Sequence, residues 1–419
     1  MKRHNTMRQP IFMQRRQLLR AFGLAAGTAL LPQAWAQGAA GLKNGRLIIV
    51  FLRGAYDGLS ATVPYTDPEY ARLRPSTAIA VPDGSGATAL KLDATFALHP
   101  ALAPLMPLWR SGVLSFVPSA GSPDPTRSHF EAQNHWEIGT PGKSNAPRGW
   151  LNTLAEIGAA AGTAPLAIGV GEANPKILSG PAPVRLIPKG KSATQEGVLG
   201  NQRTRQALLD LYAGSDAVSS AFRQGTDSRM GSANELSREM MASDNGAPSA
   251  AGLLLDAQHL GTLMRNDRRL RLGFLSAGGW DSHANQGAAT GALSQNLGKL
   301  GQALVQLRKD FSESGDMIVV ASEFGRTAAE NGTRGTDHGH GNTLWLIGNR
   351  INGGRWHGEW AGLSNGNLHE GRDIPVHHDF RSVFAQVLRA GFDLNDRQLQ
   401  DVFAGGAFDA QLAGLVKSA

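Results

Sequence analysis

Residues 46–52 read Arg-Leu-Ile-Ile-Val-Phe-Leu, and Arg53-Gly54-Ala55-Tyr56-Asp57-Gly58 follows at once. A short run that is apolar at every step, rather than at alternate steps, indicates a strand buried on both faces, as in a parallel sheet. The glycine behind it ends the strand. Five similar runs occur at 113–117, 166–170, 271–275, 317–321 and 343–347. Between them lie helical patterns. Leu293, Leu297, Leu300, Leu304 and Leu307 recur at spacings of three and four, which predicts an amphipathic helix over 291–311. Segments 203–223, 250–264 and 380–391 read the same way. Strands alternating with helices predict an α/β fold, with a central, mostly parallel sheet between helical layers. Residues 186–250 are polar, rich in Ser, Gly and Asn, and without a strand signal. They read as a helical insertion on a single domain spanning about 45–410. The Gly/Asn-rich stretch 350–375, with Trp356 and Trp360, reads as loop.

Composition agrees with a folded core. Of 419 residues, 41% are hydrophobic and 18% charged, whereas disordered chains are poorer in apolar residues and richer in charge. There is no Cys, which excludes disulfides, thiolate metal sites and Cys nucleophiles. The formal charge of +7 misleads. Residues 1–36 hold Lys2, Arg3, Arg8, Arg15, Arg16 and Arg20 and no acid; removing those six charges leaves +1. No basic patch elsewhere suits a nucleic-acid partner.

Those first residues read as an address. Arg15-Arg16-Gln17-Leu18-Leu19 precedes an uncharged stretch, Ala21 to Pro32, too short for the roughly 20 residues of a membrane span. Ala34-Trp35-Ala36 has the small-x-small form of a cleavage site. The pattern resembles a twin-arginine signal peptide over 1–36. It predicts a periplasmic protein that folds, and loads any metal, before export, with no stable membrane insertion after cleavage.

In open α/β sheets, ligands bind beyond the carboxyl ends of the strands. The segments that follow the predicted strands bring Asp57, then Ser128-His129-Phe130-Glu131, then Asp281-Ser282-His283, then Glu323-Phe324-Gly325-Arg326. Asp337-His338-Gly339-His340 lies just before the last run. Several pieces have plain structural readings. Asp57-Gly58 suits a turn, and Ser128-x-x-Glu131 is a capping box. His135 reads as structural, and Asp379 as an N-cap. Asp337-His338-Gly339-His340 is the most specific, because two His and an Asp in a glycine-bound loop serve packing poorly. Carboxylates and imidazoles without thiolates suit a divalent metal, Zn or Mn first, in one or two ions. Arg53 and Arg326, beside these groups, are expected as supporting or anion-contacting residues.

FLRGAYDGLS (51–60), LHP (98–100), RSHFEAQNHWEIG (127–139), GGWDSH (278–283), ASEFGRT (321–327) and TDHGHGN (336–342) closely resemble, in order, an exported family called domain of unknown function 1501. That family resembles a branch of the alkaline phosphatase and sulfatase superfamily. The resemblance implies an alkaline-phosphatase-like fold with a bimetallic site at the sheet edge. It implies Asp57 as the first metal ligand and Ser128 as a nucleophile at a helix N-terminus. Asp281 and His283 would hold one metal, Glu323 would sit at the other, and His338 or His340 would take the late His position. His129 and Asp337 would support ligands or substrate. The chain departs from the pattern at the short 281–283 spacing and at Phe324, which replaces a His. The activity implied is metal-dependent hydrolysis of phosphate or sulfate esters, on a small molecule or an envelope polymer. The alternative is a non-catalytic member of the fold that binds an envelope partner, a carbohydrate or another exported protein.

Overall fold

The computed structural model describes residues 45–143, 146–158, 166–171, 175–243 and 252–417. The signal-peptide reading falls on residues outside these. Every described residue lies in one compact unit, Gly41–Ala419.

A nine-stranded sheet forms the centre. Its strands are β1 (Arg46–Leu52), β2 (Leu114–Gly121), β3 (Ala167–Val170), β4 (Val184–Ile187), β5 (Leu272–Ala277), β6 (Asp316–Ala321), β7 (Asn342–Gly348) and the two-residue β8 (Arg355–Trp356) and β9 (His378–Asp379). The order is β8-β2-β7-β6-β1-β5-β3-β4, with β9 also on β2. Only β7 runs against the others among the described residues, pairing antiparallel with both β2 and β6. The sheet is thus α/β and mostly parallel.

β1 shows why the opening run is apolar throughout. Leu47, Ile49 and Phe51 enter one hydrophobic core, and Ile48, Val50 and Leu52 enter another on the opposite face. Each such side chain gains about 1.5–3 kcal/mol by leaving water. The first core is covered by α1 (His129–Ile138), α2 (Trp150–Gly158) and a later helix, Phe380–Phe392, through Trp136, Trp150, Leu154 and Phe384. The second is covered by helices Leu253–Asn266 and Ala292–Asp310, where Leu293, Leu297, Leu300, Leu304 and Leu307 form the buried stripe.

Within 186–250 the expected helix over 203–223 is two, Gln202–Leu211 and Ala217–Ser243, broken at 212–216. The second anchors to the core through buried Ala233 and Leu236. Strand β4, at 184–187, overlaps the start of the stretch read as strand-free. It is an edge strand, half-buried at three of its four residues, so it lacks the apolar signal of the inner strands. The loop 350–375 carries one short strand, β8.

The topology delivers the polar loops to one place. The segments holding Asp57, Asp281 and Glu323 leave the carboxyl ends of β1, β5 and β6, and the loop after β2 leads into α1. Because β7 runs the other way, the loop 336–341 that precedes it reaches the same edge.

Candidate metal centre

Three loops bring three imidazoles around one carboxylate. His129 is the first residue of α1, whose N-cap Ser128 accepts from Glu131 N. From there its Nε2 lies 3.5 Å from Asp281 Oδ1. His338 Nε2 lies 3.4 Å from the same oxygen. His283 Nε2 lies 2.9 Å from that oxygen and 2.9 Å from His338 Nε2. The ligand atoms of His129, Asp281 and His338 all lie within 4.8 Å of one another, a group that could hold a metal ion.

The opposite nitrogen of every ring is fixed. His129 Nδ1 faces Glu323 Oε1 at 2.7 Å, His283 Nδ1 faces Asp337 Oδ1 at 3.0 Å, and His338 Nδ1 faces the Arg127 carbonyl at 2.8 Å. Each of these oxygens can accept a hydrogen from the Nδ1 that faces it, and each Nε2 is thereby turned toward Asp281. Metal-binding imidazoles are held in this way. His129 Nε2 is buried with no hydrogen-bond partner, 3.5 Å from Asp281 Oδ1.

Electrostatics follow these contacts. The Glu323 hydrogen bond raises the His129 pKa, while burial lowers that of His338. Burial opposes ionisation of Asp281, but the buried Arg326 guanidinium outweighs it and keeps the carboxyl below its ordinary range. Arg326 is a hub. It donates to the Ala55, Gly54, Trp280 and Thr336 carbonyls as well as to Asp281. It therefore ties the loops after β1 and β5 to the loop before β7. Two glycines permit the close packing. Gly54 has φ +110°, and a Cβ there would lie 2.7 Å from Asp281 N; at Gly335 a Cβ would lie 2.3 Å from the His283 carbonyl carbon.

The structure thus brings Asp281, His283 and His338 together, as the sequence suggests, and places the other expected ligands in different surroundings. Asp57 is engaged by Arg74, Gln286 and Ser60. It is 1% exposed and N-caps a one-turn helix, Gly58–Ala61. Its Oδ2 accepts from Arg74 Nη1 (2.5 Å), Gln286 Nε2 (2.7 Å) and Ser60 Oγ (2.8 Å). Burial would raise its pKa, yet the Arg74 charge and these hydrogen bonds hold it below the ordinary value. Glu323 and His129 face each other. Glu323 is fully buried and accepts from Gln133 and Gly54 N as well as facing His129 Nδ1, which leaves His129 Nε2 on the Asp281 side. His340 points elsewhere. It is buried against the His369 ring, centroids 4.6 Å apart, and burial pushes its pKa down to about 4.

The supporting residues are also placed. Asp337 orients His283 and accepts from Asn331. Arg53 is held by Gln133 and Glu137, and is no free anion contact. Ser128 is an exposed cap, but the box is half-made, because the Glu131 carboxylate accepts from Thr126 Oγ1. His135 faces Asp124, and Asp379 N-caps the last long helix. Arg74 is the functional-looking residue that sequence reading missed. It lies in no motif, and only the fold takes it to Asp57.

Residues 44–403 match the model of a family described as protein of unknown function (DUF1501). The chain belongs to that family. No curated protein matches it. For this DUF1501 member, the donor set of imidazoles and one carboxylate suits a borderline divalent cation. No helix among the described residues is long and apolar enough to cross a membrane.

Proposed function

We propose that the chain is a metal-dependent hydrolase of phosphate or sulfate esters, working at the edge of an alkaline-phosphatase-like sheet. The observation that carries this reading is the convergence of three imidazole Nε2 atoms on Asp281, each ring held from behind. When bound, a Zn- or Mn-class cation supplies Lewis acidity toward an ester oxygen. Ser128 stands next to His129 at the N-terminus of α1, where the helix dipole favours an anionic group. Its Oγ is the proposed nucleophile. Arg53, Arg127, Arg326 and Arg372 are each engaged with carboxylates, side-chain amides or carbonyls. The cation and the helix end are therefore the groups left to meet the ester's charge. Export by the twin-arginine route to the periplasm belongs to the same proposal. Replacing Arg15 and Arg16 by Lys is expected to leave the precursor in the cytoplasm, and normal periplasmic levels would refute it.

The test of the activity is Ser128→Asp. Asp caps a helix as well as Ser does but lacks the attacking hydroxyl. Zinc- or manganese-loaded wild type should cleave aryl phosphates or sulfates, and the variant should fold alike by circular dichroism and lose turnover. Retained turnover would move the nucleophile's role to water. A wild type that cleaves neither ester would support the non-catalytic reading, in which the same edge binds an envelope polymer or an exported protein.

A further inference from the structure

The resemblance asks for two cations at the sheet edge, and the side chains expected for the second do not fit one. Asp57 Oδ2 is saturated by Arg74, Gln286 and Ser60, and its Oδ1 caps Ser60 N. Glu323 Oε1 is taken by His129, Gln133 and Gly54 N, and the side chain is fully buried, with Oε2 beside Ser322 Oγ. His340 packs on His369. Phe324 stands where a second-site His is expected. It is buried, and its ring stacks on His129 at 4.8 Å and lies 5.2 Å from His338. An apolar ring thus packs against two of the imidazoles at the position where the resemblance expects a His.

We infer that this chain is built as a one-cation centre, with His129, Asp281, His283 and His338 as its ligands, and that the Arg74 guanidinium supplies at Asp57 the positive charge a second ion would bring. The inference rests on the metal-dependent reading of the site. Its spacing supports it. Four-coordinate bonds of roughly 2.0–2.1 Å place neighbouring ligand atoms about 3.3–3.4 Å apart. His129 and His338 Nε2 lie 3.5 and 3.4 Å from Asp281 Oδ1, whereas His283 Nε2 lies closer, 2.9 Å from both Asp281 Oδ1 and His338 Nε2, and would move outward to join them. Charge supports it too. Asp281, Glu323 and Asp337 bring three negative charges and Arg326 one positive. The net two negative charges are cancelled by one divalent ion. The Asp57–Arg74 pair, 1% and 0% exposed at the side chains, is already neutral, so a second ion there would bring uncompensated charge into a dry site.

The experiment is metal titration of the chelator-stripped full chain, read by native mass spectrometry and by the visible bands of four-coordinate Co2+. One equivalent of Zn2+ or Co2+ is expected, with a thermal shift that saturates at that ratio. Binding of two equivalents with similar affinity would overturn the inference. His129→Ala is expected to weaken binding at least 100-fold, and Glu323→Gln about 10- to 100-fold as a lost orienting contact, while His340→Ala keeps one equivalent at wild-type affinity. Wild-type affinity in His129→Ala, or a lost ion in His340→Ala, would overturn it. The wild-type stoichiometry depends on no variant folding. One bound ion without ester cleavage would remove the hydrolase reading and leave this inference standing. No bound ion at any ratio would remove both.

Discussion

Two clusters of charge share one edge of the sheet, and they are built on opposite terms. Around Asp57 every polar atom is answered. Arg74 donates to Asp57, to Ser60 and to the Ala328 and Thr327 carbonyls, and nothing there meets solvent. Around Asp281 the carboxylate is 44% exposed and the His129 Nε2 has no partner. Both clusters come from glycine-flanked acidic motifs. What separates a structural knot from a binding centre is the unmet valence, which shows only in three dimensions. A satisfied buried network makes the fold specific, whereas convergent lone pairs with tied backs await a ligand.

Breaking the closed cluster should have the largest effect. Arg74→Met leaves Asp57 buried without its countercharge and is expected to cost about 3–5 kcal/mol, read by denaturant unfolding. A loss below about 1 kcal/mol would mean that Asp57 finds other support. His259 sharpens the comparison next. It is buried with both ring nitrogens unpartnered, as His129 Nε2 is, yet it joins no ligand group among the described residues. Orphaned atoms alone therefore do not make a site. Burial pushes its pKa down to about 4, below the ordinary value near 6.5. The unfolded chain then takes up the proton first. Stability is full above about pH 6.5 and falls as the pH drops from there toward 4. His259→Leu should flatten that part of the Tm-against-pH curve and raise stability near pH 6 by about 1–3 kcal/mol. An unchanged slope would show that the proton goes elsewhere.

Smaller effects are expected at the open cluster. Ser128→Ala should cost about 0.5–2 kcal/mol through the lost cap, toward the lower end because the hydroxyl accepts at 3.4 Å. Asp281→Asn, in metal-free protein, removes a half-exposed partner of Arg326, whose remaining donors still meet four carbonyls. It should cost less than about 1 kcal/mol while abolishing the metal-induced rise in Tm. A loss as large as that of Arg74→Met would make Asp281 a second structural knot.

Much of the fold was legible because the inner strands are apolar on both faces. All six sequence runs are strands, and the leucine spacing of 292–310 is the buried stripe. The edge strand Val184–Ile187 was not, because its mixed burial leaves no pattern. The site was legible as a place and less so as a ligand set. His129 and Glu323 sit 194 residues apart and touch. Which of a hydrogen-bonded His–Glu pair faces the centre is decided by helix α1 docking on the sheet, not by either local motif. The same holds for His338 and His340, two residues apart, of which one turns to Asp281 and the other to His369.

The reversed strand β7 also sets an order of events. Among the described residues, strand β2, with β8 and β9, is linked to the rest of the sheet only through β7. During synthesis, β2 emerges more than two hundred residues before β7, so for most of that time it has no neighbour to pair with. The sheet stays in two pieces until the ribosome has passed residue 348, and His338 arrives with the strand that joins them. Such late, long-range closure makes folding slow and leaves the bare edges of β2 and β6 exposed to other chains in the interval. Centre and sheet are completed by the same segment, so a chain stopped short of β7 has neither.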